Sequence, residues 1–440
     1  MKKALWINIA ILLLACIVIV TGCAAKQAAN EAAPPPIGAS ADFVFGKQAH
    51  EFCPATVDEF VPVFATQMVR YSQIAPLCWP NNAVMEKSVV LEDVDTNRIW
   101  HITPNGDVTE LSEEDADLMG ISRRDRPDDF SFFSGGMYIT ISDQSVYAQR
   151  GSDKPHVGAY DAILWLTHEG FHEWEQSKKW EASDSESIAN AGREEYLLDV
   201  SARAKRNLLQ KQLLWAAADP GNKQKVLDAL ATYEDYKTKF SNDYDNALYY
   251  DRIEGTALYF EIVSSIYVFY PDQVGSRVDL ERALAHLAQK YEENYISLGV
   301  VSESYYAGML ACILLDRLDE NWKEHLMQEP SITPLEMLSL HYSDETLPEP
   351  RQLTAEELDS VTEAIRDKVR YLAERQTSIL AGIVQVLDSL SGEERIAYEL
   401  FFDEMLQGFQ DMLKILPEEE QRSQEDFILA MQEEASRKPA

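Results

Sequence analysis

The chain has 440 residues, 46% of them hydrophobic, 10% aromatic and 26% charged, which is the composition of a globular protein able to bury a sizeable core. Its formal net charge is −35. A field of that sign repels nucleic acid and anionic membrane surfaces and excludes them as partners; it serves solubility first, and attraction for basic peptides or divalent cations second.

The N-terminus, MKKALWINIAILLLACIVIVTGC, opens on Lys2 and Lys3 and runs apolar from Ala4 to Val20. A basic start before an apolar run is an export signal rather than part of a fold. The run ends in Val20-Thr21-Gly22-Cys23, which resembles the lipobox of bacterial lipoproteins. That resemblance implies a signal peptide over 1–22 and a lipid on Cys23, the first mature residue. The alternative is a plain membrane anchor, since the run is near the lower limit for spanning a bilayer. Either reading puts the body outside the cytoplasm, lipid-anchored to the cell envelope in the first case. Ala24 after the cysteine would direct a Gram-negative lipoprotein to the outer membrane. Residues 23–40 are small, polar and proline-rich, a tether.

Of five cysteines, Cys53, Cys78 and Cys312 belong to the body. Cys53 and Cys78 could bridge across a short loop in an oxidising compartment, and Cys312 reads as a buried apolar residue. No CxxC pair is present, so a thiolate zinc site is not expected.

Residues 41–155 have a mixed α/β texture. A helix is expected after Val57. Strands are expected at SVVLEDVD and at NRIWHITPNGDVTEL, with Asn105-Gly106 as a tight hairpin turn. In GGMYITISD, Met137, Ile139 and Ile141 alternate with Tyr138, Thr140 and Ser142, the pattern of another strand. Residues 156–347 read as helical almost throughout, with helices expected over 160–180, 189–218, 247–269 and 302–326. Residues 351–440 form an acidic helical segment opened by a capping box, Thr354 with Glu357. The expected fold is therefore α+β, predominantly α-helical, with a small N-terminal β-sheet and extra C-terminal helices.

The chemistry lies in THEGFHEW, residues 167–174. His168 and His172 are one helical turn apart, so both imidazoles share a face and can reach one ion. Glu169 is offset by about 100° around the helix, beside a metal-bound water and outside the ligand positions. That is the logic of H-E-x-x-H: two nitrogen ligands to Zn2+, and a carboxylate base for the water. With eight histidines in the chain, an accidental match is rare.

A catalytic zinc takes a third protein ligand. HEGFH, followed by Glu254-Gly255-Thr256-Ala257-Leu258-Tyr259-Phe260-Glu261, resembles the gluzincin metallopeptidases, whose aminopeptidases carry a helix reading E-G-x-A-x-Y-x-E after the HExxH. The resemblance implies a zincin-like core, hydrolysis of peptide bonds, and Glu254 as third ligand. The departure is spacing: 81 residues separate His172 from Glu254, so an inserted helical pair within 183–248 is required. Gly255 costs about 1 kcal/mol relative to alanine in mid-helix, and a missing side chain there suits a close helix–helix approach. The rival ligand is Glu195, which with Asp199 has the E-x-x-x-D spacing of thermolysin-like enzymes. With Glu254 as ligand, Asp199 becomes the expected acceptor for a ligand histidine N–H.

Peptide hydrolysis also wants a donor to the developing oxyanion. Tyr305 and Tyr306 stand at the start of an otherwise apolar helix, and Tyr306 is the first choice of the two. Gluzincins bind substrate backbone along an edge strand, and Met137–Ser142 is placed in sequence to be that strand. Trp165, Trp174 and Trp180 are expected in core or pocket lining. The function read from these residues is an extracytoplasmic, lipid-anchored zinc peptidase acting on peptide or protein substrates. The metal lowers the pKa of its water towards about 7, and Glu169 takes the proton. The alternative is a non-catalytic envelope binding or scaffold protein with a structural or vestigial metal site.

Overall fold

A computed structural model of the chain describes residues 54, 56–124, 127, 129–143, 161–177, 180, 199–270, 273–274, 276–290, 296–319, 321–329, 331–387, 413–418 and 420–422. The expected signal peptide, Cys23, the tether, Cys53 and Glu195 lie outside the described residues. Among the described residues no helix is long and apolar enough to cross a membrane.

The chain enters with α1 (Val57–Cys78), then builds five short strands: β1 (Ser88–Asp93), β2 (Arg98–Ile102), β3 (Val108–Leu111), β4 (Asp129–Phe133) and β5 (Gly136–Ile141). Their order across the sheet is β3-β2-β1-β5-β4, with β1 and β5 parallel and every other pair antiparallel. The interior strands β1 and β5, SVVLED and GMYITI, are almost wholly buried. Among the described residues, exposed β3 and half-buried β4 form the edges. The expected alternation holds: Met137, Ile139 and Ile141 join the main core, and Tyr138 faces a small second cluster with Val90, Ile99, Ala116 and Ile121. The β2–β3 hairpin is closed by Thr103 and Asp107 around a three-residue loop in which Gly106 takes φ +81°, one residue longer than the expected two-residue turn.

The sheet order corrects one expectation. Met137–Ser142 is not an edge strand, because β5 pairs with β1 on one side and β4 on the other. Among the described residues the edge on that side is β4, whose Phe130 and Phe132 pack on Trp165 and Trp174 of the HEGFH segment at 5.7 and 5.3 Å between ring centroids.

The rest is helical: α2 (Glu113–Leu118), α3 (Asp161–Phe171) running straight into a π turn (His172–Gln176), α4 (Val200–Ala218), α5 (Lys223–Lys239), α6 (Ser241–Phe269), α7 (Arg277–Lys290), α8 (Val300–Leu318), α9 (Trp322–Gln328), α10 (Pro334–His341) and α11 (Ala355–Leu387). The helical pair expected within 183–248 is present as α4 and α5. The helix expected over 302–326 is two: it stops at Asp319, whose carboxylate accepts from the Asn321 N–H at 2.8 Å and turns the chain. The capping box of α11 forms as expected, Thr354 N–H to Glu357 Oε2 at 3.0 Å and Glu357 N–H to Thr354 Oγ1 at 3.2 Å. Val361, Ile365 and Val369 of α11 then pack on Ala204 of α4.

α6 is the axis of the helical body. Of its 29 residues, only the first two turns are substantially exposed, and α1, α3 and α8 surround the remainder. It meets α8 at two glycines: a Cβ on Gly255 would lie 2.5 Å from the Gly308 Cα, and one on Gly308 would lie 2.2 Å from the Asp251 carbonyl oxygen. Only residues without side chains permit backbones to approach this closely. The close helix–helix approach foreseen at Gly255 is real, and its partner is α8. Two buried arginines of α4 lock the crossing from behind. Arg206 pairs with Asp251 of α6 and bonds Ser304 Oγ of α8 at 3.2 Å, and Arg203 pairs with Asp243 of α6 and Glu303 of α8.

Candidate metal centre

Three elements meet at the site. α3 and its π turn supply His168 and His172, α6 supplies Glu254, and α8 supplies Tyr305. His168 Nε2 and His172 Nε2 are 3.1 Å apart, and Glu254 Oε2 lies 3.3 Å from the first and 3.2 Å from the second. Among the described residues this is the cluster whose donor atoms could jointly hold a metal ion. A tetrahedral ion with bonds of about 2.1 Å sets its ligand atoms roughly 3.4 Å apart. The observed triangle is that size, slightly drawn in. The three expected ligands are therefore brought together.

Burial and charge act against one another here. Burial favours neutral His168, but the Glu254 and Glu261 carboxylates outweigh it and the group is pushed up to about 10. Burial likewise favours a neutral Glu254, yet the charge of His172 and hydrogen bonds from both histidines hold its carboxyl well below the ordinary range. The cluster is thus a carboxylate and imidazoles sharing a proton at the point where a cation would sit, and a metal ion entering would displace that proton.

The outer atoms of the two rings are engaged by different groups. His168 Nδ1 is 3.1 Å from Glu261 Oε2, and His172 Nδ1 is 2.5 Å from Gln176 Oε1. Asp199 does not take this role. It is the N-cap of α4, its carboxylate accepting from the Ala202 N–H at 3.0 Å, because a short carboxylate ahead of a helix satisfies the nearest free N–H of the first turn. Glu261 and Gln176 do so instead. Both could be found by counting: Gln176 stands one turn after His172, and Glu261 two turns after Glu254 on the same face.

Tyr305, and not Tyr306, faces the cluster. The Tyr305 ring lies 5.4 Å from that of His168, and its hydroxyl hydrogen-bonds Glu254. Burial and the negative charges of Glu254 and Glu169 push this phenol up, so it remains a proton donor. Tyr306, turned about 100° away, packs against the main core. The register comes from the glycine crossing: Tyr305 is three residues before Gly308, on the side of α8 that meets Glu254 and Gly255. Glu169 is half-buried beside His168, and its charge is felt by both His168 and Tyr305. Trp174 and Trp180 are buried and Trp165 half-buried, as expected.

Comparison of the chain with family models, curated proteins and solved structures found no match in any of the three.

Proposed function

We propose that the chain is a zinc-dependent peptidase with a zincin-like core, gluzincin in its ligand set, carried to the cell envelope by a lipid on Cys23. The observation that carries this reading is the triangle of His168 Nε2, His172 Nε2 and Glu254 Oε2, with sides of 3.1–3.3 Å, next to Glu169. The donor set is the two-histidine, one-glutamate set of catalytic zinc, which leaves a coordination position open. A zinc ion held there supplies Lewis acidity and a nucleophile available near neutral pH.

The protein's own groups supply the rest. Glu169, one position from the first ligand and not engaged by the triangle, takes a proton from the attacking water and returns it to the leaving amine. Tyr305 donates its hydroxyl hydrogen to the oxygen on which negative charge develops, and its raised pKa keeps that hydrogen in place. An extended substrate adds along the outer edge of β4, main chain to main chain, beside the aromatic wall of Phe130, Phe132, Trp165 and Trp174. The reading is tested by Glu169→Gln in the mature chain with a broad peptide library. The variant should keep its zinc and lose hydrolysis; undiminished cleavage would overturn the assignment.

A further inference from the structure

Gln176 closes the π turn, four residues after His172, and is 4% exposed. Both ends of its carboxamide are committed. Nε2 donates to the Ile253 carbonyl oxygen at 2.8 Å and to Thr256 Oγ1 at 2.9 Å. Thr256 cannot donate in return, because its hydroxyl hydrogen is directed at the α6 carbonyls of Arg252 (2.7 Å) and Ile253 (3.2 Å). With the amino end occupied by two acceptors, the amide presents its oxygen to His172, and Oε1 lies 2.5 Å from Nδ1.

An amide oxygen only accepts, so His172 carries a proton on Nδ1. Its Nε2 then has a free lone pair, aimed at the point shared with His168 and Glu254. The direction of every proton from the Arg252 carbonyl to the imidazole is fixed in this way. We infer that Gln176 is a positioning residue of the metal centre. It selects the tautomer and ring orientation of His172, and it ties the π turn to Ile253 and Thr256, on either side of Glu254. One amide thereby sets two of the three ligands against each other. The inference rests on the metal-centre reading proposed above.

The π turn gives this arrangement its local cause. A wider turn leaves three consecutive residues, Trp174, Glu175 and Gln176, buried, and π turns recur where a side chain must be re-aimed at a site. The choice of amide over carboxylate also has a reason. Glu169, Glu254 and Glu261 already place three carboxylates around the cluster, and a glutamine steers the ring without adding a fourth charge.

The test is Co2+ titration of the chelator-treated mature chain, followed by visible absorption, with zinc affinity measured by competition. Four proteins are compared: the wild type, Gln176→Leu, Gln176→Glu and Thr256→Val. The wild type should bind one Co2+. Gln176→Leu should bind about 10- to 100-fold more weakly with a changed ligand-field spectrum. Gln176→Glu, which restores an acceptor, should recover affinity to within a few-fold. Thr256→Val, which removes one of the two acceptors that hold the amide, should fall between, and it carries the test if Gln176→Leu does not fold. Wild-type affinity and spectrum in both Gln176→Leu and Thr256→Val would overturn the role of Gln176 while leaving the metal centre standing. A wild type that takes up no Co2+ would overturn both.

Discussion

Helices α6 and α8 carry two buried polar clusters built on opposite principles. In one, Asp316 accepts from the Tyr259 hydroxyl and from Trp322 Nε1 at 2.8 Å, and lies 3.3 Å from Lys323 Nζ. The Lys323 ammonium in turn lies 5.0–5.9 Å from the ring centres of Trp79, Tyr259 and Trp322. One carboxylate gathers two neutral donors and an ammonium, so charge meets counter-charge inside the cluster. In the other, two imidazole nitrogens and a carboxylate oxygen converge on a single point. The two Nε2 atoms are 3.1 Å apart and each lies within 3.3 Å of the Glu254 carboxylate, so the three face one point where a proton or a cation sits between them. A buried cluster that closes holds the fold; one that gathers acceptors around a point is a site.

The sharpest way to test that contrast is to remove one carboxylate from each cluster. Glu254→Ala should abolish stoichiometric zinc and all hydrolysis while melting close to the metal-free wild type, as measured by metal analysis and calorimetry. Asp316→Asn should do the reverse, keeping zinc while destabilising by about 2 kcal/mol, because it leaves the half-buried Lys323 ammonium without its counter-charge. Tyr305→Phe should lower kcat about 100-fold with zinc retained, and Tyr306→Phe should leave kcat within a few-fold of wild type. Gly308→Ala, whose Cβ would meet the Asp251 carbonyl, should cost about 1–3 kcal/mol and also reduce kcat by separating Tyr305 from Glu254.

The gentlest test is pH. His168 is held at about 10 in the metal-free fold, against about 6.5 in an unfolded chain. Its contribution to the stability of the metal-free protein is complete below about pH 6.5 and is lost as pH rises through about 10. Zinc must expel the same proton, so its affinity should rise over that interval. Opposite trends in the melting temperature of the chelated protein and in zinc affinity between pH 6.5 and 9.5 are expected, and parallel trends would argue against the shared proton. The buried thiol of Cys78, outside the ligand cluster, gives a control. It is pushed up to about 12 by burial, so it should not react with thiol reagents below pH 9 in the native protein.

What was legible in the sequence was whatever a period could carry. The i, i+4 spacing of His168 and His172 fixed their shared face, and alternation in GMYITI fixed which side of β5 is core. Glu254 was reached through its resemblance to a motif, and Gly255 through the absence of a side chain. What was missed depended on contacts between elements distant in sequence. Tyr305 and Tyr306 are adjacent, and only the crossing at Gly308 decides which one faces Glu254. Asp199 was misassigned because a capping carboxylate and one that orients a histidine look alike until the helix start is located. β4 escaped notice because DFSFF is short and follows a run of charged residues, and its edge position depends on the pairing of β5 with β1.

The central claim is that the His168–His172–Glu254 triangle holds zinc. The most direct test is the zinc content, by inductively coupled plasma mass spectrometry, of the Ala24–Ala440 chain purified without metal-affinity chromatography. One zinc per chain is expected, lost in Glu254→Ala. A chain that holds no zinc, even after zinc is supplied and the excess removed, would contradict it.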